Sequence, residues 1–523
     1  MANEYGNYAT LNPLYPSSNV TLSNGNLTAT FAGSNHYHFP ANMLIPATGK
    51  WALKATDVNG AGRPSHQMIG VIEDNPASLT DGHDNATSVY WTDTGTVYRA
   101  GSSLGTQAAS YTQNNVLQLL YDRDAATLKL YKDGVLSYTV TSVPTAANVF
   151  SAVANEGGTA VWTLDFGQNG YVATDADYLN LSTANLPTPA IIDPSAYFQV
   201  LAYTGTGSGH TETFDGSSNL QPDLLWIKNR DQNDEWKIID SVRGATYELN
   251  FNSNNAESTD SNGVTGFTSN GFTLGSGAGG YNDNTEKFLA YGFKESATAG
   301  FDIVEYSGNN SANRNISHSL GVSPECVLVK GTASGHWWWW HVGFNDATKF
   351  LPLDGIGTAT ATNSPWGTGN FSSSHFMVTN NGTENANASG TNNYIAYLWA
   401  GIDGFSSFGT FKGNGTHGAG FGQDGPFVNL GFAPDFVHII NFEIAENGSS
   451  FNTTSNPNNP VITKNDIGGV DGDGGSGGYL DLLSNGFKIR YADQSLNDSR
   501  YEYIYMAWGR SMTDGGVNQV RAK

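Results

Sequence analysis

One line of sequence is written three times in this chain: PDLLWIKN from Pro222, PECVLVKG from Pro324 and PDFVHIIN from Pro434. Each is a short apolar run behind a proline. Proline fixes φ and has no N–H to give to a ladder, so it belongs at a strand's start. A run that is apolar on both pleat faces predicts a strand buried on both sides. Three further lines keep the same company. KFLAYGF starts at Lys287, NYIAYLW at Asn393 and EYIYMAW at Glu502. SNGFTL starts at Ser269, SSHFMV at Ser373 and SNGFKI at Ser484. Ahead of each proline line come YTGTG from Tyr203, EYSGN from Glu305 and TFKGN from Thr410. The prolines stand 102 and 110 residues apart, well beyond the roughly 20 to 50 residues of a solenoid period. Four landmarks in one order, three times over, predict tandem domains of about one hundred residues each.

Composition agrees with an all-β chain. Among 523 residues there are 63 glycines, 12% aromatics and only 14% charged residues, and no long stretch carries a helical apolar period. The net charge of −23 opposes phosphate backbones and anionic bilayers, so no nucleic-acid partner is expected. Such a charge favours solubility, and salty water screens it. No run of 18 apolar residues occurs, so no membrane insertion is expected. One cysteine excludes an intrachain disulfide framework, and Cys326, aligned with Leu224 and Phe436, reads as a small buried apolar residue. No signal-peptide pattern opens the chain. The expectation is synthesis in a cytoplasm, with any outside role reached by lysis or on a particle.

Taken in order, residues 1–34 are polar and turn-rich and read either as an extended arm or as a first edge strand. Residues 35–170 alternate strands and turns. MIGVIED (Met68 to Asp74) is an apolar strand, and NNVLQLLYDRDAATLKLYKDGVLSYTV (Asn114 to Val140) is a meander with Asp133-Gly134, a strong hairpin signal, at one turn. VWTLDFG (Val161 to Gly167) closes the segment. These lines, with GKWALKA around Trp51, resemble a SPRY domain. The resemblance implies a concanavalin-like jelly-roll sandwich that binds peptides or glycans through loops and is rarely an enzyme. Residues 171–195, with Pro187, Pro189 and Pro194, read as a linker. The repeats then occupy 196–298, 299–402 and 403–523 as three homologous β-sandwich-like domains. Their junctions, SATAG (Ser296 to Gly300) and GIDG (Gly401 to Gly404), are short, which predicts a semi-rigid rod or a compact cluster.

The repeats also resemble a domain found in virion proteins of marine tailed phages. PDLLWIKN, SNGFTL, KFLAYGF, GDGG…YLDLLSNGFKIR and YIYMAWGR carry this likeness, with ATLNPL (Ala9 to Leu14) and LSNGN (Leu22 to Asn26) near the start. It implies a structural virion protein, a tail fibre or tail appendage contributing to host attachment. Its partners would be other virion proteins and a host surface glycan or protein receptor. It would be made in the host cytoplasm, would work outside the cell on the particle, and would form a homo-oligomer. A capsid decoration or head-fibre protein is the alternative, and a polysaccharide depolymerase a further one.

The residues offer little chemistry. No nucleophile, zinc, nucleotide or dinucleotide motif appears, and 47 acids include no local frame marking a glycosidase pair. Neither an enzyme nor a cofactor is expected. Asp471 and Asp473 in GGVDGDGGSGG lack the closing glutamate of a calcium loop, and His36 and His38 would share one strand face. Both pairs are weak metal candidates beside simple surface readings. The tryptophans are more informative. Trp337 to Trp340 stand between His336 and His341 and align with EWKIID (Glu235 to Asp240). Trp338 then matches Lys237, which predicts that Trp338 and Trp340 share an open face. Such a face suits a subunit interface or a glycan platform, unless a loop or neighbouring repeat covers it. Trp338, Trp340, His336 and His341 are therefore the binding or interface candidates.

Overall fold

The computed structural model describes residues 7–15, 19–32, 37–58, 67–73, 85–154, 160–277, 279–353, 358–380, 385–389, 393–416, 418–444, 448–455 and 479–511. Apart from short 3-10 turns, its regular elements are β-strands, paired antiparallel except for Leu179–Asn180, which runs parallel to Lys50–Asp57, so the chain is all-β. It divides into two compact units. Residues up to Thr188, with Phe427–Gly431, form one, and Pro189–Pro426 with Phe432–Ser511 form the other.

The first unit is a two-sheet sandwich. One sheet runs in the order Val20–Ser23, Thr28–Phe31, Ala160–Asp165, Lys50–Asp57, Val116–Asp122, Thr127–Lys132, Val135–Thr141. The other runs Tyr37–Pro40, Val149–Ala154, Met68–Ile72, Val89–Thr92, Thr96–Arg99, Ser102–Thr106. Tyr111 bridges their inner faces. Its ring lies 5.1 Å from Trp91 and 6.0 Å from Trp162, and its hydroxyl donates to the Gln67 carbonyl at 2.7 Å. Met68–Ile72 is buried throughout, and a Cβ at Gly70 would lie 1.9 Å from the Val89 carbonyl oxygen, so only glycine lets these strands close. The hairpin at Asp133-Gly134 is a two-residue turn with φ of 48° and 80°, the positive pair that a type I′ turn requires. Residues 20–31 form an edge hairpin of the first sheet, so this part of the N-terminal segment is an edge and not a detached arm. The expected linker also begins later than residue 171. Leu179–Asn180 pairs with Lys50–Asp57, and Tyr171 and Tyr178 pack on Ala52 and Leu120. Those two tyrosines are the apolar anchors that a proline-based linker reading overlooks.

In the second unit one strand order occurs three times. It is Phe198–Thr204, Lys287–Phe293, Leu224–Asn229, Lys237–Asp240. It returns as Phe301–Ser307, Asn393–Trp399, Cys326–Gly331, Trp337–His341, and again as Ser406–Lys412, Glu502–Ser511, Phe432–Asn441, Ser449–Asn452. The proline line and the KFLAYGF line supply the two inner strands each time, which is why both are apolar on both faces. Pairing registers match: Leu224 sits opposite Phe293, Cys326 opposite Trp399 and Phe436 opposite Trp508. Pro222, Pro324 and Pro434 each stand two residues before those partners. In the third copy the strand extends past the proline, and the ladder shifts register between Pro434 and Phe436, as a residue without an N–H demands. The SNGFTL line forms a separate small sheet each time, at Gly271–Leu274, His375–Val378 and Gly486–Ile489.

The three copies form neither a rod nor a string. Phe293, Trp399 and Trp508, equivalent by register, meet one another at 6.2, 5.3 and 6.1 Å between ring centroids. One hydrophobic core runs from Ile191 to Trp508 through all three sheets. The strand carrying each central aromatic packs on the outer strand of another copy, and the contact closes in a ring. Tyr397 donates to Asp240 Oδ2 at 2.7 Å, His341 Nε2 donates to the Tyr505 carbonyl at 3.1 Å, and Asn452 Nδ2 donates to the Tyr291 hydroxyl at 3.3 Å. Asp240, His341 and Asn452 hold the same register position. The unit is therefore a pseudo-three-fold cluster built by a single chain.

Candidate functional site

The strand Trp337–His341 is buried along its whole length. Strand alternation splits it into two faces. Trp337, Trp339 and His341 point into the joints between copies. The Trp337 indole donates to the Asn250 carbonyl at 2.7 Å and lies 5.0 Å from Phe251. Trp339 donates to Cys326 Sγ at 2.9 Å and lies 6.3 Å from His438. His341 accepts the Gly343 N–H at Nδ1, at 3.0 Å, so its proton is on Nε2, where it meets Tyr505. Burial pushes its pKa down to about 3, and the ring stays neutral. Burial likewise pushes the Cys326 thiol up, with Met506 Sδ at 3.6 Å, so Cys326 packs as a small apolar residue.

The open face expected of Trp338 and Trp340 is closed. Trp338 is 3% exposed and Trp340 7%. Phe350 meets Trp338 edge-on at 5.4 Å, Phe371 stacks on Trp340 at 4.2 Å, and the Trp340 indole donates to the Asp346 carbonyl at 3.1 Å. The covering residues come from the long connection after His341, whose Phe350, Trp366 and Phe371 were the available signal. Lys237, the residue that suggested an open face, is itself buried. Its ammonium reaches Glu248 at 3.4 Å and lies 5.3 Å from the Tyr281 ring, so the lysine sits inside by pairing its charge. Of the four candidates only His336 is exposed, 5.2 Å from Trp338. The contacts between copies use the opposite face of the strand, through Trp337, Trp339 and His341. His38 is buried in its strand, while His36, Asp471 and Asp473 lie outside the described residues.

Three polar groupings escaped the sequence reading because each draws at least one member from a distant part of the chain. At the joint of the first and second copies, Arg243 binds Asp240 at 2.6 Å and Glu257 at 3.0 Å while Tyr397 donates to the same aspartate. Burial opposes the guanidinium charge, but Tyr397, Asp240 and Glu257 outweigh it and raise the Arg243 pKa. Asp234, Asp283 and Glu286 bring carboxylate oxygens within 4.8 Å of one another and could hold a cation. Asn229 Nδ2 donates to Asp234 and to Glu286 at 2.6 Å each.

The third grouping is Glu295 with Asp302 and Asp223. Burial first, then the hydrogen bond and charge of Asp302 and the charge of Asp223, push Glu295 up to about 7 from 4.5. A carboxyl raised in the folded state contributes stability that is fully present below 4.5 and is lost as pH rises through about 7. Relative to Glu295→Gln, the wild-type chain should therefore lose stability between pH 5 and pH 8. Urea unfolding of both at several pH values measures this. Parallel pH profiles would refute it. The buried, neutral His341 and His438 act in the opposite direction on the acid side, so the comparison between variants is the informative one.

Residues 193–511 match the family described as "Domain of unknown function (DUF7483)". The chain belongs to this family. The DUF7483 span takes in all three copies of the sheet, so the family unit is the closed cluster and not one repeat of it. No curated protein matches the chain. Among solved structures it is similar to the SPRY domain of human HERC1, at 18% identity, covering 28% of this chain and 91% of that one with a TM-score of 0.24. It is also similar to the TRIM65 PSpry domain, at 13% identity, covering 30% and 93% with a TM-score of 0.25. A human SPRY domain matches at 12% identity, covering 28% and 94% with a TM-score of 0.24. Among the described residues no helix is long and apolar enough to cross a membrane.

Proposed function

We propose that this DUF7483 protein is a structural virion component of a tailed bacteriophage, a tail fibre or tail appendage that contributes to host adhesion. The observation that carries the reading is the closed three-fold cluster. Asp240, His341 and Asn452 make the joints between copies, and the aromatic run is packed, which suits a rigid platform better than a reaction site. Loops of the N-terminal sandwich, which resembles SPRY domains, are the surface assigned to the receptor. Adhesion then comes from many shallow contacts multiplied by copy number.

The core of the platform is complete within one chain. Any homo-oligomer is then held by other surfaces. Light scattering of the isolated protein, a chain of 55.7 kDa, is expected to give the mass of a homo-oligomer, and a monomer would shift the reading to a decoration protein assembled on the particle. Antibody labelling of purified particles tests the placement. Label on the tail supports the adhesin, label on the capsid shifts the reading to a decoration protein, and unlabelled particles overturn both.

A further inference from the structure

The lines YTGTG, EYSGN and TFKGN mark a device that each copy repeats. Their aromatics, Tyr203, Tyr306 and Phe411, stack at 5.1 Å on Phe288, Tyr394 and Tyr503 of the adjoining inner strands. Two residues on, a glycine passes close to the main chain. A Cβ at Gly205, Gly308 or Gly413 would lie 2.2, 1.8 or 2.3 Å from the carbonyl oxygen of Asp283, Ala388 or Asp498. The residue before each of those carbonyls is an asparagine, and Asn282, Asn387 and Asn497 are fully buried. Each asparagine holds an exposed loop at two points. Its Oδ1 accepts the N–H that follows the glycine, from Thr206 at 2.7 Å, Asn309 at 3.1 Å and Asn414 at 2.8 Å. Its main-chain carbonyl accepts the next N–H, from Gly207 at 2.9 Å, Asn310 at 2.8 Å and Gly415 at 3.2 Å.

The remaining bonds separate the copies. Because Oδ1 is fixed by a main-chain donor, the other amide atom is the Nδ2 donor. In the first copy it donates to the Ser208 carbonyl at 2.8 Å and the Gly275 carbonyl at 2.7 Å. In the second it donates to the Ser311 carbonyl at 2.8 Å and to Asn309 Oδ1 at 2.9 Å. In the third, Thr416 stands at the place of Ser208 and Ser311, but its carbonyl takes the Ala419 N–H at 3.0 Å. Asn497 Nδ2 is buried without an acceptor, and a Cβ at Gly415 or Gly425 would lie 2.9 Å from it. The stacked aromatic differs in the same direction. The Tyr203 and Tyr306 hydroxyls each donate at 2.7 Å to the carbonyl just before their asparagine, and Phe411 has no hydroxyl to give. A buried donor left unpaired is costly, so the third loop is held with fewer bonds and at a penalty.

We infer that Asn282, Asn387 and Asn497 are clamps, one per copy, that fix the exposed loop after each copy's first strand, and that the third clamp is half-made. The third loop is then the one the cluster releases most readily, because opening lets water pair Asn497 Nδ2 while fewer protein bonds are broken. The inference is independent of any virion role.

The test is amide hydrogen exchange of the full chain, resolved by residue and corrected for neighbouring side chains. The Asn414 and Gly415 amides are expected to exchange roughly tenfold or more faster than those of Thr206, Gly207, Asn309 and Asn310. Equal rates in the three loops, or a slower third loop, overturn the half-made clamp. Asn387→Ala should speed exchange at Asn309 and Asn310 and leave the other two loops as they were. Unchanged rates at those two amides overturn the clamp itself, and so does an acceleration spread evenly over all three copies. The wild-type comparison needs no variant and decides the point even where Asn387→Ala fails to fold.

Discussion

Trp399→Ala is expected to destabilise the DUF7483 unit by about 3–5 kcal/mol, the usual range for truncating a large buried aromatic. Trp399 is 1% exposed. Its ring stacks on Phe301 at 5.0 Å within its own copy. It also meets Trp226 at 6.0 Å, Phe293 at 6.2 Å and Trp508 at 6.1 Å in the other two. The hole would open at the point where all three copies touch, so no single sheet can relax to fill it. All three should then lose stability together, in one cooperative transition at a lower denaturant midpoint. Trp399→Phe should lose less, since a smaller hole is left. The measurement is urea unfolding followed by tryptophan fluorescence and by amide exchange in each copy. If only exchange in residues 299–402 accelerates, the copies are independent domains and the shared core does not couple them.

The strands of this chain were legible and their assembly was not. Repeated apolar lines show which segments are inner strands, because burial on both faces leaves a mark at every position. The proline two residues before each run marks the strand entry even where, at Pro434, the strand runs on through it. The ring is harder to read. Its joints are made by residues that look ordinary in isolation: Asp240, His341 and Asn452 share a register position but no chemistry, and each finds a different partner. The tryptophan run shows the same limit from the other side. Alignment of Trp338 with Lys237 was correct, and the conclusion that the face is open failed, because a lysine can be buried if a carboxylate such as Glu248 comes with it. Only the connection after His341, with its own aromatics, told that the face was covered.

The three joints also differ in how they can fail. Two are neutral, and the one between the first and second copies is charged. Arg243 and Asp240 are 3% and 0% exposed in their side chains, with the guanidinium on Asp240 at 2.6 Å and on Glu257 at 3.0 Å. Arg243→Met should cost about 3–5 kcal/mol, because it leaves buried carboxylates without their counter-charge while the methylene stem is largely kept. The cost should exceed that of removing an exposed ion pair, which is roughly 0–1 kcal/mol. The decisive variant adds Asp240→Asn, which gives this joint the residue that the third joint carries at Asn452. With the buried charge at 240 gone, Arg243→Met with Asp240→Asn should be more stable than Arg243→Met alone, although it is the larger change. Chemical denaturation of the wild type, the two single variants and the double variant closes the cycle. If the double variant loses the sum of the two single losses, arginine and aspartate do not act as a pair. The joint would then be held by the packing of Tyr397 on the outer strand of the first copy.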